Sequence, residues 1–140
     1  MICNFRGSYE FLTNFYISKS QIHINGFIFH NAESALQSFK CPDRQSEFQK
    51  LSPKDAKKLG RRIELRDDWD LIKDNIMYNI LCHKFKDNFS LKKALLDTND
   101  TYLVEVNNWG DVYWGVCRNI GYNKLGEILM KIREEIKNEN

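Results

Sequence analysis

Apolar residues recur at helical spacing along two long stretches of the chain. Leu125, Ile128, Leu129, Ile132 and Ile136 fall on one face of a helix running from about Lys124 to Lys137. Trp69, Leu71, Ile72, Ile76, Met77, Ile80, Leu81 and Phe85 cover well over half the circumference of a longer helix, about Trp69 to Lys86, opened by Asp67 and Asp68. A helix apolar over so much of its surface is central to a fold. Lys84 projects inside that apolar arc. A charge there must find a partner, snorkel to the surface or face a cavity.

A shorter helical stretch spans residues 31–40, with Asn31 as its N-cap and Pro42 as its stop. Glu33, Gln37 and Lys40 sit at i, i+4 and i+7, within a stripe roughly 60° wide at about 100° per residue. Ala35, Leu36 and Phe39 form an apolar face beside it, so the stripe lies at the edge of a buried face. Spacing alone favours a polar row on a solvated helix side over a pocket wall.

Shorter elements fill the rest. Ser52-Pro53 pairs an N-cap with proline at N1 and starts a helix ending near Gly60. Short helices are expected over residues 43–51 and from a Ser90 cap to about Leu96. Residues 21–24 and 27–29 flank Asn25-Gly26, which suits a type I′ hairpin. Residues 2–6 and 102–106 read as strands, and residues 7–16 as an aromatic-rich loop. The sum is an α+β fold, a mostly helical single domain over residues 1–140 with a small antiparallel sheet.

Composition narrows the chemistry. With 42% hydrophobic and 13% aromatic residues, the 140-residue chain has enough apolar matter for a core. Its 21 basic and 19 acidic residues nearly cancel, so phosphate recognition must be local. Lys54 to Arg66 is the basic run, holding Lys57 and Arg61; Arg forks match phosphate oxygens, although a solvated face explains such runs as well. The four cysteines form no metal-ligand or redox spacing. No apolar run approaches membrane length and no signal-like segment opens the chain, so a reducing, cytoplasmic setting without membrane association is expected. P-loop, dinucleotide, Ser-hydrolase, zincin and EF-hand patterns are absent, so neither a metal nor a cofactor is expected.

What remains is carboxylate, lysine, amide and tryptophan. Besides the Glu33 stripe, residues 108–115 (N-W-G-D-V-Y-W-G) combine aromatics, glycines and Asp111, which suits a stacking platform or a packed turn around Trp114. Asn14 and Phe15 lie in the loop Phe11 to Tyr16, where the amide can read a polar ligand edge or stabilise a turn. This set suits cleavage of a bond between a ribose and a base. A carboxylate can stabilise an oxocarbenium-like sugar or activate water. A lysine can instead attack the anomeric carbon and form a Schiff base. Both routes stay open on chemistry alone.

The chain resembles the YbiA-like, or NADAR, family from about Phe5 to Ile136. The resemblance rests on F-L-T-N-F at Phe11 to Phe15, on A-E-x-x-x-Q-x-x-K from Ala32 to Lys40, and on A-K-x-x-G-R from Ala56 to Arg61. Further on it rests on Trp69 with Lys73 and Met77, Lys84-Phe85, Leu103 to Glu105, Asp111 to Gly115, and a closing pattern from Gly121 through Asn123 to Arg133. It implies an N-glycosidase acting on ADP-ribose or ribose-phosphate conjugates. One implied substrate class is ADP-ribose on guanine bases, including ADP-ribosylated DNA; the other is ribosylaminopyrimidine phosphates of riboflavin synthesis. A nucleotide-binding sensor that does not cleave is a further alternative. By motif position, Glu33, Lys40 and Asp111 are the expected catalytic groups, with Lys40 the candidate Schiff-base lysine. Asn14, Phe15, Gln37, Lys57, Arg61, Trp69, Lys84, Glu105, Trp114 and Asn123 are the expected substrate contacts.

Overall fold

The computed structural model describes residues 1–139. These fold as two compact units, one of residues 14–84 and one that joins residues 1–13 to the chain from residue 85 onward. The architecture is mostly helical with a small antiparallel sheet, as the apolar pattern predicts.

The unit of residues 14–84 opens on the hairpin β1 (Ile22–Ile24) and β2 (Phe27–Phe29), paired antiparallel with Ile24 opposite Phe27. Asn25 and Gly26 both take positive φ, 55° and 80°, which is the type I′ geometry the dipeptide favours. Helix α1 (Ala32–Ser38) follows, with the Asn31 side chain accepting from the Ser34 amide. The segment after Pro42 is a 3₁₀ helix, Pro42–Phe48, rather than the helix expected over residues 43–51. Helix α2 (Pro53–Gly60) starts with Ser52 accepting from the Asp55 amide. Helix α3 (Trp69–Lys86) has the expected bounds. The Asp68 carboxylate is engaged by Arg66 at 2.6 Å. Phe29, Ala32, Ala35, Phe48, Ala56, Met77, Ile80 and Leu81 are fully buried.

The terminal unit departs more from expectation. Residues 7–12 form a 3₁₀ helix in place of the expected loop, and Ile2 makes only a single bridge to Leu103. Helix α4 (Phe89–Leu96) is capped by Asn88, which accepts from the Leu91 amide, so the cap lies two residues before Ser90. Residues 102–106 are not a regular strand. The paired segments are β3 (Val106–Asn107) and β4 (Val116–Cys117), which run parallel. Helix α5 (Lys124–Asn138) buries Leu125, Leu129, Ile132 and Ile136, the face expected from their spacing. Arg133 adds a polar staple, donating from Nη1 to Thr98 Oγ1 at 2.9 Å and to the Thr101 carbonyl at 2.8 Å. Among the described residues no helix is long and apolar enough to cross a membrane.

Candidate active site

Every residue of α1 is buried, including Glu33 at 7% exposure and Gln37 at 6%. Glu33 and Gln37 are therefore not on a solvated helix side, and the stripe runs from these buried groups to the half-buried Lys40 beyond the helix end. Burial of so polar a helix is made tolerable by local partners. Ser38 Oγ donates to the Ala35 carbonyl and accepts from Gln45 Nε2, while Ser34 Oγ donates to the Asn31 carbonyl.

Gln37 Nε2 donates to Glu33 Oε1 at 3.3 Å. The Glu33 amide donates to the Asn14 carbonyl at 2.9 Å, which ties the F-L-T-N-F segment to the start of α1. Two acceptors in this region, Asn14 Oδ1 and Gln37 Oε1, are buried without a hydrogen-bond partner. Such atoms are rare in folded proteins and mark strain or an absent binding partner.

Lys40, one turn beyond Gln37, is half-buried, with Nζ 5.8 Å from the Trp69 ring centroid. Burial lowers its pKa from the ordinary lysine value. Glu33 opposes that, and the charges of Arg61, Lys57 and Lys73 add to the lowering. Lys40 thus shares one field with a carboxylate and three further cations. Lys57 Nζ lies 5.8 Å from the Phe15 ring centroid, and Lys73 Nζ contacts Asp70 at 3.0 Å. Arg61 is exposed.

Lys84 does not snorkel. It is 2% exposed, its Nζ stands 5.6 Å from the Tyr16 ring centroid, and burial lowers its pKa to about 7. Three lysines in this unit, Lys40, Lys57 and Lys84, therefore each lie over an aromatic ring. Sequence reasoning misses Lys73 and Tyr16 as site residues. Lys73 carries a signal, standing four residues after Trp69 on the same helix face. Tyr16 carries none beyond its place in an aromatic loop.

Glu105, Asp111, Trp114 and Asn123 belong to the terminal unit and form a cluster of their own. Asp111 Oδ1 accepts from the amides of Tyr113 and Trp114 at 3.1 and 3.0 Å, so one carboxylate oxygen holds the turn that carries Trp114. The Asp111 backbone is clasped in turn by the Asn107 side chain, which also donates to Glu105 Oε2 at 3.1 Å. Trp114 is half-buried and meets Tyr113 edge-on at 4.9 Å. Asn123 is buried; it accepts from the Glu105 amide and donates to the Leu103 carbonyl. Its amide thus braces the backbone of residues 103–105.

A sequence model of the NADAR domain matches residues 4–137. The chain is 43% identical over 90 residues to an N-glycosidase of Nostoc punctiforme, covering 62% of this chain and 57% of that protein. It is 32% identical over 121 residues to N-glycosidase YbiA of Escherichia coli, covering 82% of this chain and 75% of YbiA. A riboflavin biosynthesis protein of Vibrio vulnificus is 34% identical over 136 residues, which are 93% of this chain but 36% of that protein. The chain thus spans little more than half of the Nostoc relative and about a third of the Vibrio one. The NMR structure of E. coli YbiA superposes with a TM-score of 0.85 at 30% identity, covering 99% of this chain and 84% of that one.

Proposed function

Since the chain belongs to the NADAR domain family, we propose that it is an N-glycosidase that hydrolyses the bond between a phosphorylated ribose and a nitrogen base. The observation that carries this reading is Lys40, which feels the charge of the buried Glu33 carboxylate together with those of Arg61, Lys57 and Lys73. Even with Lys73 paired to Asp70, the cations Lys40, Lys57 and Arg61 outnumber Glu33, which suits an anionic ligand such as a phosphate or diphosphate. The carboxylate itself suits a reacting carbon that becomes positive, as the anomeric carbon does when the base departs. Two curated relatives named N-glycosidases support the reaction class.

In this scheme the cations hold the phosphate, and Glu33 either stabilises the sugar cation or takes a proton from the attacking water. Trp69, buried beside Lys40, offers a ring face for the base or sugar. The unpartnered Asn14 Oδ1 supplies an acceptor for a donor group on the substrate. Lys40 has two roles open to it. The lowering of its pKa favours the neutral amine a Schiff-base nucleophile needs, while its ammonium form is one more phosphate contact. Asp111 and Trp114 are proposed as the second carboxylate and second stacking ring, by motif position.

For the substrate we favour ADP-ribose joined to a guanine base, as mononucleotide or in DNA, because a diphosphate makes use of several separated cations. A ribosylaminopyrimidine phosphate is the second reading, favoured by the name of the Vibrio relative. A panel of ADP-ribosylated guanine oligonucleotide, ribosylaminopyrimidine phosphate, free ADP-ribose and NAD, assayed for released base, tests both. Release from one of the first two, abolished by Glu33→Gln, is expected. Tight binding of ADP-ribose with no release from any substrate would replace the enzyme with a sensor.

A further inference from the structure

Gly60 ends α2, yet it is not the left-handed glycine that commonly terminates helices, since its φ is not positive. Glycine is also a poor helix residue beside alanine. Its reason is space. A Cβ at position 60 would overlap Gln37 Oε1 and stand 2.7 Å from Gln37 Cδ. The Gln37 amide therefore lies directly on the α2 backbone at Gly60.

That placement explains the unpartnered oxygen. Gln37 Oε1 is spent on contact with a Cα, and Nε2 is thereby turned toward Glu33 Oε1. The reverse orientation would set a carbonyl oxygen against a carboxylate. A buried amide that leaves one atom unbonded to make a single bond contributes little to stability. It does fix the direction of the group it bonds.

We propose that Gln37 is a positioning residue for the Glu33 carboxylate, and that Gly60 is required because any side chain there dislodges Gln37. This rests on Glu33 being the reacting carboxylate. The donor also favours the ionised carboxylate, so its loss raises the proton affinity of Glu33.

The experiment is a cycle of Gly60→Ala, Gln37→Ala and the double variant, with Glu33→Gln as the control. Gly60→Ala is expected to lower the unfolding temperature only when Gln37 is present, since truncation of that side chain leaves room for the new methyl. On a substrate the wild type cleaves, Gly60→Ala and Gln37→Ala should each lower kcat about ten- to a hundredfold with KM nearly unchanged, as expected for a misdirected catalytic group. The double variant should be no slower than Gln37→Ala, and the acid limb of the pH profile should move to higher pH. Wild-type kcat in Gly60→Ala and Gln37→Ala beside an inactive Glu33→Gln would overturn the proposal and leave the site reading standing. Full activity in Glu33→Gln would overturn the site reading and with it the positioning role. Independent, additive stability effects would overturn the Gly60–Gln37 link whatever the activity.

Discussion

Replacing Lys84 with Met should stabilise the protein at neutral and acid pH, and the gain should fade as pH rises. The pKa of Lys84 falls from 10.5 to about 7 because burial disfavours the ammonium. That difference corresponds to about 5 kcal/mol against the charged, folded form. Contacts of the ammonium, the Tyr16 ring among them, offset part of this. What remains is a large fraction of the stability of a small domain. The folded state holds this proton more weakly than the unfolded chain. Below about pH 7 both are protonated and the fold carries the full penalty. Between there and pH 10.5 the unfolded chain keeps a proton that the folded one releases, so wild-type stability rises with pH. Met has similar length and no charge, so the variant lacks this dependence. Urea unfolding of both proteins at pH 6 and pH 10 measures it. The advantage of the variant over wild type should shrink by about 4 kcal/mol between the lower pH and the higher. An equal difference at both pH values would refute the reasoning. So would a variant less stable than wild type at pH 6. A lysine retained at such a cost is a candidate for function, so the same variant should be carried through the substrate panel.

Lys57→Ala and Arg61→Ala should each raise KM about tenfold, the value of one charge-assisted hydrogen bond, with kcat little changed. Added salt should weaken the wild type more than the double variant; identical salt profiles would remove these residues from the phosphate site. Asp111→Asn keeps an acceptor for the Tyr113 and Trp114 amides and should unfold with the wild type, whereas Asp111→Ala should lose about 1 kcal/mol as caps do. A fall in turnover in the Asn variant, at unchanged stability, is the result expected of a catalytic carboxylate; normal turnover there would leave Asp111 as a turn-former only.

Local signals carry the central part of the fold. Asn25-Gly26, Asn31, Pro42 and Ser52-Pro53 each act within a few residues, and the structure uses each where it stands. The bounds of α3 follow from its apolar arc. Failures come where distant segments decide. Residues 102–106 have strand-like composition, but Ile2 and Asn123 take backbone groups of residues 102–105, and only Glu105 and Val106 at the end of the stretch meet a strand, β4. Two cap-forming residues, Asn88 and Ser90, compete for α4, and the choice of Asn88 leaves Phe89 79% exposed, against what an apolar residue would suggest. The site stripe is legible as a spacing, but its burial is not. Ser34 and Ser38 can be buried only because Asn31 and Gln45, which no local spacing pairs with both of them, satisfy their hydroxyls. Gly60 reads only as a helix end, since nothing in the chain says that Gln37 lies against it.

Helix α1 is seven residues long and buried throughout. A helix of two turns has no stability of its own in water. Its amides should therefore exchange with solvent only when the surrounding unit opens as a whole, with no separate local route. The backbone that carries Glu33 is then formed or lost with the unit as a whole. A destabilising substitution in residues 14–84 that touches none of Glu33, Gln37, Lys40 or Gly60 should reduce the number of competent molecules while each survivor works at full speed. Loss of activity in denaturant should coincide with unfolding of this unit, unlike an enzyme whose lid loosens first.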